Sequence, residues 1–162
     1  MTKNALAELG MYSEFEPRNS QGPDTARDES PIYTVVDNDK DYFVEKDGVK
    51  FAGTHLLVEL WGAGNLDDPE WIDSALCDAA VAAKATILHS HFHHFQPNGG
   101  VSGVVVLAES HISIHTWPER DYAAIDIFMC GECNPYDAIP VIKERFGPTN
   151  VQLAEHRRGL MP

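Results

Sequence analysis

Several side chains able to do chemistry crowd the middle of this chain. Glu109, Ser110, His111 and His115 fall within Val101 to Cys130, VSGVVVLAESHISIHTWPERDYAAIDIFMC, and Cys130 closes that stretch. A serine hydroxyl becomes a nucleophile only when a base or a strained backbone activates it, and His111 and His115 are the nearby bases. The elbow motif GxSxG is replaced by Ala108-Glu109-Ser110-His111-Ile112, so a hydrolase of that type is not supported. Two other chemistries compete. His89, His91, His93, His94, His111 and His115 are dense enough to raise a metal site, yet HExxH and paired CxxC motifs are missing. Cys130-Gly131-Glu132-Cys133 is a single CxxC before a helix, a weak redox signal without a clear βαβ context.

The elements that must position these groups follow from hydrophobic period and turn residues. His55 to Trp61 reads as a strand ended by Gly62-Ala63-Gly64-Asn65. Asp68 caps a helix with Pro69 at its first position; Ile72, Leu76, Ala79, Ala80 and Ala83 give it an apolar face, and it is expected to reach about Ala85. Thr86 to Phe95 and Val101 to Ala108 form a hairpin across Pro97-Asn98-Gly99-Gly100. Ser110 to Trp117 and Tyr122 to Met129 are strands joined by Pro118 to Asp121. A helix opens at Asn134-Pro135 and runs to about Phe146, with Pro140 bending its first turns, and Val151 to Glu155 is the last strand. Strands joined by tight turns, with two helices for one face, predict an α+β fold on an antiparallel sheet. Strand alternation sets His111 and His115 on the face opposite Ser110.

The chain has 162 residues, one domain's worth, and twenty-five acidic against twelve basic residues give a formal charge of −13. That balance disfavours nucleic acid and anionic membranes as partners. No apolar run reaches membrane-span length and the N-terminus lacks a secretory pattern, so the expected location is the cytoplasm. The three cysteines, Cys77, Cys130 and Cys133, make no even disulfide set. Residues 1–50, with apolar pieces only at Ile32 to Val36 and Tyr42 to Val44, read as a loosely ordered acidic extension dispensable for catalysis, and 51–162 as the working domain.

The stretch GVVVLAESHISIHTWPERDYAAIDIFMCG, together with HLLVEL, HFHHFQP, VSGV and AEHRRG, resembles the small prokaryotic S-adenosylmethionine decarboxylase proenzymes from about His55 to Arg158. The resemblance implies a chain that cuts itself between Glu109 and Ser110, into 1–109 and 110–162, and turns Ser110 into a pyruvoyl group that holds substrate as a Schiff base. It implies Ser102 and His115 as aids to processing, His115 as the proton acceptor, and Cys130 as the proton donor of decarboxylation. Phe95 and Glu119, with Trp117 near, stand where the family binds adenine and ribose. The implied fold is a sheet with helices on one face, two protomers forming an αββα homodimer with sites at the interface and no metal. Met129, Gln96 and an extra Gly in the Pro97 to Gly100 turn depart from the family pattern. S-adenosylmethionine is the expected substrate, giving S-adenosylmethioninamine and carbon dioxide for spermidine synthesis. Ornithine or arginine decarboxylation by the same chemistry is the alternative, and a His-rich metal-binding or CxxC redox module a more distant one.

Overall fold

The structure, a computed structural model, describes residues 42–161. Ile32 to Val36 and the rest of the extension up to residue 41 lie outside the described residues. A small hairpin, β1 (Val44–Lys46) and β2 (Val49–Phe51), precedes a six-stranded antiparallel sheet. The sheet comprises β3 (Gly53–Trp61), β4 (Ile87–His94), β5 (Val101–Leu107), β6 (Ser110–Trp117), β7 (Tyr122–Cys130) and β8 (Asn150–Arg158), in the order β4-β5-β6-β7-β3-β8. Helices α1 (Pro69–Ala82) and α2 (Ala138–Phe146) supply the second layer.

The two layers meet through one face of the sheet. Leu56, Val58, Leu60, Val105, Ile112, Ile114, Ile125 and Ile127 alternate inward along their strands, and Ile72, Leu76 and Ala79 of α1 with Ile142 and Phe146 of α2 close the core over them. Strand period two sends the intervening residues to the other face, where no helix of the described residues lies. That open face carries Leu57, Val104, Val106, Phe128, Trp61 and Trp117 beside polar groups.

Local chemistry explains where elements stop. Asp68 accepts hydrogen bonds from the N–H groups of Glu70 and Trp71 at 3.0 and 3.1 Å, which caps α1 as its sequence predicts. The helix ends at Ala82, before the expected Ala85, because Lys84 takes a left-handed conformation (φ 63°) and the chain leaves the helix there. Before α2, Pro135–Asp137 forms a 3₁₀ turn, which leaves Pro140 within the first turn of the α-helix, where its missing N–H costs no bond. β8 is longer than expected, pairing with β3 from Gly53↔Arg158 to Trp61↔Asn150. Ordered structure also begins before residue 50, since β1 and β2 are tied to the sheet by bonds from Ala52 N–H to Arg158 O (2.8 Å) and from Met161 N–H to Lys50 O (2.9 Å).

Candidate active site

Ser110 begins β6, and its register partner across the turn is Leu107, so only Ala108 and Glu109 connect the two strands. Glu109 adopts φ 65°, a conformation that costs a residue with a side chain about 1 kcal/mol. The bond between Glu109 and Ser110 therefore sits in a tight, strained hairpin. Ser110 is 8% exposed and faces the helix layer with Ile112 and Ile114. Its Oγ accepts a hydrogen bond from the Cys130 N–H at 3.2 Å, fixing the hydroxyl against the end of β7.

Cys130 is half-buried beside it, and Gly53 is its cross-strand partner on β3. A Cβ on Gly53 would lie 2.5 Å from Met129 O and 3.0 Å from Cys130 Sγ, so only glycine leaves room for the thiol in that place. Burial pushes the Cys130 thiol above its ordinary value and the Glu109 carboxylate adds to this, while a hydrogen bond with Ser110 pulls the other way. Cys133 is raised as well, by burial and then by Glu132. Both thiols are free, and raised pKa values leave them protonated, the opposite of a reactive dithiol couple. Glu109 and Cys130 share a cleft of ≈ 800 Å³.

The opposite end of β6 carries the second group. Ser102 of β5 pairs with His115 of β6, and the Ser102 hydroxyl and His115 Nδ1 hydrogen-bond at 2.7 Å on the open face. Thr116, buried between two exposed neighbours, accepts from Val101 N–H and donates to Leu66 O, both at 2.7 Å, and so locks the start of β5 against β6. Trp117 stacks on Tyr122 (centroids 5.2 Å apart), which stacks on Trp61 (4.3 Å). Burial, then a hydrogen bond to Glu59, pushes the Tyr122 phenol up to about 12. Phe95 follows β4, half-exposed against the His93 ring at 4.6 Å, and its N–H bonds Gly100 O at 2.7 Å. Glu119 is exposed on the 3₁₀ turn Pro118–Arg120.

Between the two ends, His55 Nε2 and Asp126 Oδ1 are hydrogen-bonded at 3.1 Å, with Arg158 Nη1 on the other His55 ring nitrogen at 3.3 Å. His111 lies 6.2 Å from His55 and 5.8 Å from Phe128, centroid to centroid. Burial first, then His55, lowers the His111 pKa, and Asp126 partly offsets this. Among the described residues no group of three or more His, Cys, Asp or Glu side chains is placed to hold a metal.

Ser110, Glu109 and Cys130 thus come together, as do Ser102, His115 and Trp117, with Phe95 and Glu119 on the turns at that end. The structure does not bring the two groups together: β6 separates them by its length, about 20 Å, and by its two faces. Sequence reasoning missed Thr116, Asp126 and Gly53, whose roles depend on cross-strand partners far away in the chain. The strict alternation of β6 and β7 was the one signal that marked Thr116 as inward and Asp126 as outward.

A layer of two helices on an antiparallel sheet, with a serine at a strained hairpin and a thiol beside it in one cleft, describes an α+β enzyme. Comparison with known proteins agrees. The family model for S-adenosylmethionine decarboxylase matches residues 54–159. The S-adenosylmethionine decarboxylase proenzyme of Thermomicrobium roseum is 46% identical over 114 residues, covering 70% of this chain and 98% of that protein. The proenzyme of the same name from Methanococcus maripaludis strain C5 is 47% identical over 116 residues, covering 70% and 94%. The crystal structure of the adenosylmethionine decarboxylase from Aquifex aeolicus VF5 superposes with a TM-score of 0.63 at 38% identity, covering 69% of this chain and 94% of that one. This chain belongs to the S-adenosylmethionine decarboxylase family.

Proposed function

We propose that the protein is a self-processing, pyruvoyl-dependent decarboxylase that converts S-adenosylmethionine to S-adenosylmethioninamine and carbon dioxide, in the cytoplasm, for spermidine synthesis. The observation that carries this reading is the Glu109–Ser110 bond, set in a strained two-residue hairpin with the Ser110 hydroxyl held by Cys130 N–H. Ser110 Oγ attacks the Glu109 carbonyl carbon, the C–N bond breaks, and an ester links the two halves. Loss of the Ser110 Cα proton expels the Glu109 carboxylate, and water then releases ammonia to leave the ketone on residue 110. His115 is the proton acceptor, oriented by Ser102.

The pyruvoyl group supplies an electron sink for the bond to the departing carboxylate. Cys130 fits beside it: a thiol kept protonated by burial can return a proton to the substrate carbon. Phe95 and Trp117 offer aromatic faces for the adenine and the sulfonium, and Glu119 an acceptor for the ribose hydroxyls.

Within one protomer these recognition residues and His115 lie at the far end of β6 from residue 110. We infer that a second protomer packs sheet to sheet on the open face, where Cys130 and the Ser102–His115 pair both lie, and completes the site. The apolar open face, with Leu57, Val104, Val106 and Phe128, fits that homodimer. Ornithine or arginine would need acidic groups at the pocket's far end instead of an aromatic face, so S-adenosylmethionine is the substrate favoured by Phe95 and Trp117.

Intact mass spectrometry tests the processing: the purified protein is expected as two chains divided at Glu109–Ser110, and Ser110→Ala as one. Carbon dioxide release from S-adenosylmethionine, ornithine and arginine tests the substrate. Cleavage in the alanine variant, or release from ornithine or arginine alone, would overturn the corresponding part.

A further inference from the structure

The cleft at the cleavage bond has lining that the family match does not reach. Tyr42, Phe43, Val44 and Glu45 line it together with Glu109, Cys130 and Glu132, yet the family model begins only at residue 54. These residues are not a loose end. Tyr42 O accepts the Gly131 N–H at 3.1 Å, directly after Cys130, and the Tyr42 ring passes 3.6 Å from where a Cβ on Gly131 would lie. Behind them, β1 and β2 are anchored by the buried Phe51, over whose ring the Arg157 guanidinium sits at 5.2 Å, and by the bonds of Ala52 and Lys50 to the C-terminal segment. The segment is therefore held at both ends while Tyr42 and Phe43, 48% and 41% exposed, present aromatic surface at the cleft.

Aromatic surface is costly to leave half in water, and an anchored aromatic beside a reactive centre is well placed to contact what binds there. We infer that residues 42–45 form a strap that makes part of the substrate site, with Tyr42 a specificity-determining contact for the methionine portion of the substrate next to residue 110. A sulfonium cation is the group such a ring attracts, and with Glu45, Glu109 and Glu132 against Lys84 the lining of the cleft carries a net negative charge of the same sense. The inference rests on the decarboxylase reading, and it divides the N-terminal extension: the strap belongs to the working enzyme.

The test uses full-length protein carrying Tyr42→Ala with Phe43→Ala, and the single variants Tyr42→Ala and Tyr42→Phe. The double variant is expected to cut at Glu109–Ser110 as the wild type does, to keep kcat within about twofold, and to raise KM for S-adenosylmethionine about fivefold, the size of an exposed cation–π contact. Tyr42→Phe, which keeps the ring, is expected to restore the wild-type KM. Tyr42→Ala, at a half-exposed position outside the core, carries the same test should the double variant fold poorly. An unchanged KM in a processed, active variant overturns the strap alone. A wild type that neither cuts nor releases carbon dioxide overturns the decarboxylase reading beneath it.

Discussion

Cys130, the proposed proton donor, shows how much a single side chain owes to its surroundings. Because burial is the largest cause of the raised Cys130 pKa, the donor stays protonated through neutral pH and is lost only on the alkaline side. The alkaline limb of kcat is therefore expected above the ordinary thiol range, and Cys130→Ala is expected to process normally and lose about a hundredfold in kcat. A pH–rate profile and intact mass on the same preparation check both. Glu109 offers a second experiment. Glycine takes φ 65° without cost, so Glu109→Gly relaxes the hairpin and is expected to slow cleavage about fivefold, equivalent to about 1 kcal/mol of lost strain. The rate at which the two fragments appear reads it directly; an unchanged rate would show that strain does not drive the cut. Period-two alternation made the opposite placement of Ser110 and His115 legible beforehand. The strain at Glu109 was not, since nothing about a glutamate announces a left-handed backbone.

Elements hold these groups through bonds that join distant parts of the chain. Thr116 is the clearest case, serving the Val101 N–H and the Leu66 carbonyl at once from a fully enclosed position. Thr116→Val keeps the shape and orphans both groups, so a loss of about 2 kcal/mol, or about 8 °C in melting temperature, is expected. Thr116→Ser is expected to recover most of it, and differential scanning calorimetry on the three proteins decides. The strands and helices themselves were readable from hydrophobic spacing and turn residues, including β6 to the residue. Their ends were less so. The stop of α1 depends on Lys84 turning left-handed, and the length of β8 on β3 offering partners as far as Gly53. The hairpin at Val44–Phe51 escaped notice because its short polar strands gain their stability from the C-terminal segment they touch, not from their own pattern.

At the scale of the whole molecule, the proposed division of the site between the two ends of β6 predicts that activity is a property of a pair. Cys130→Ala and Glu119→Ala, each nearly inactive alone, are expected to recover about a quarter of wild-type activity when unfolded and reassembled together, since half of randomly mixed dimers carry one intact site of two. Recovery of none would place every catalytic group of a site within one protomer.

One feature of the sheet reaches further than catalysis. In the order β4-β5-β6-β7-β3-β8, the chain 1–109 supplies β4, β5 and β3, and the chain 110–162 supplies β6, β7 and β8. β3 thus lies clasped between two strands of the other segment, so the proposed cut at the hairpin tip is expected to sever the chain without releasing either piece. Maturation then works as a ratchet. The precursor folds as one chain, whereas the nicked protein, once melted, must find its other half by collision against far greater loss of entropy. Refolding of Ser110→Ala from denaturant is expected to be independent of protein concentration in yield of folded protomer, and that of the processed enzyme to fall steeply on dilution. The native sheet of the mature form would then persist by slow unfolding rather than by ready return.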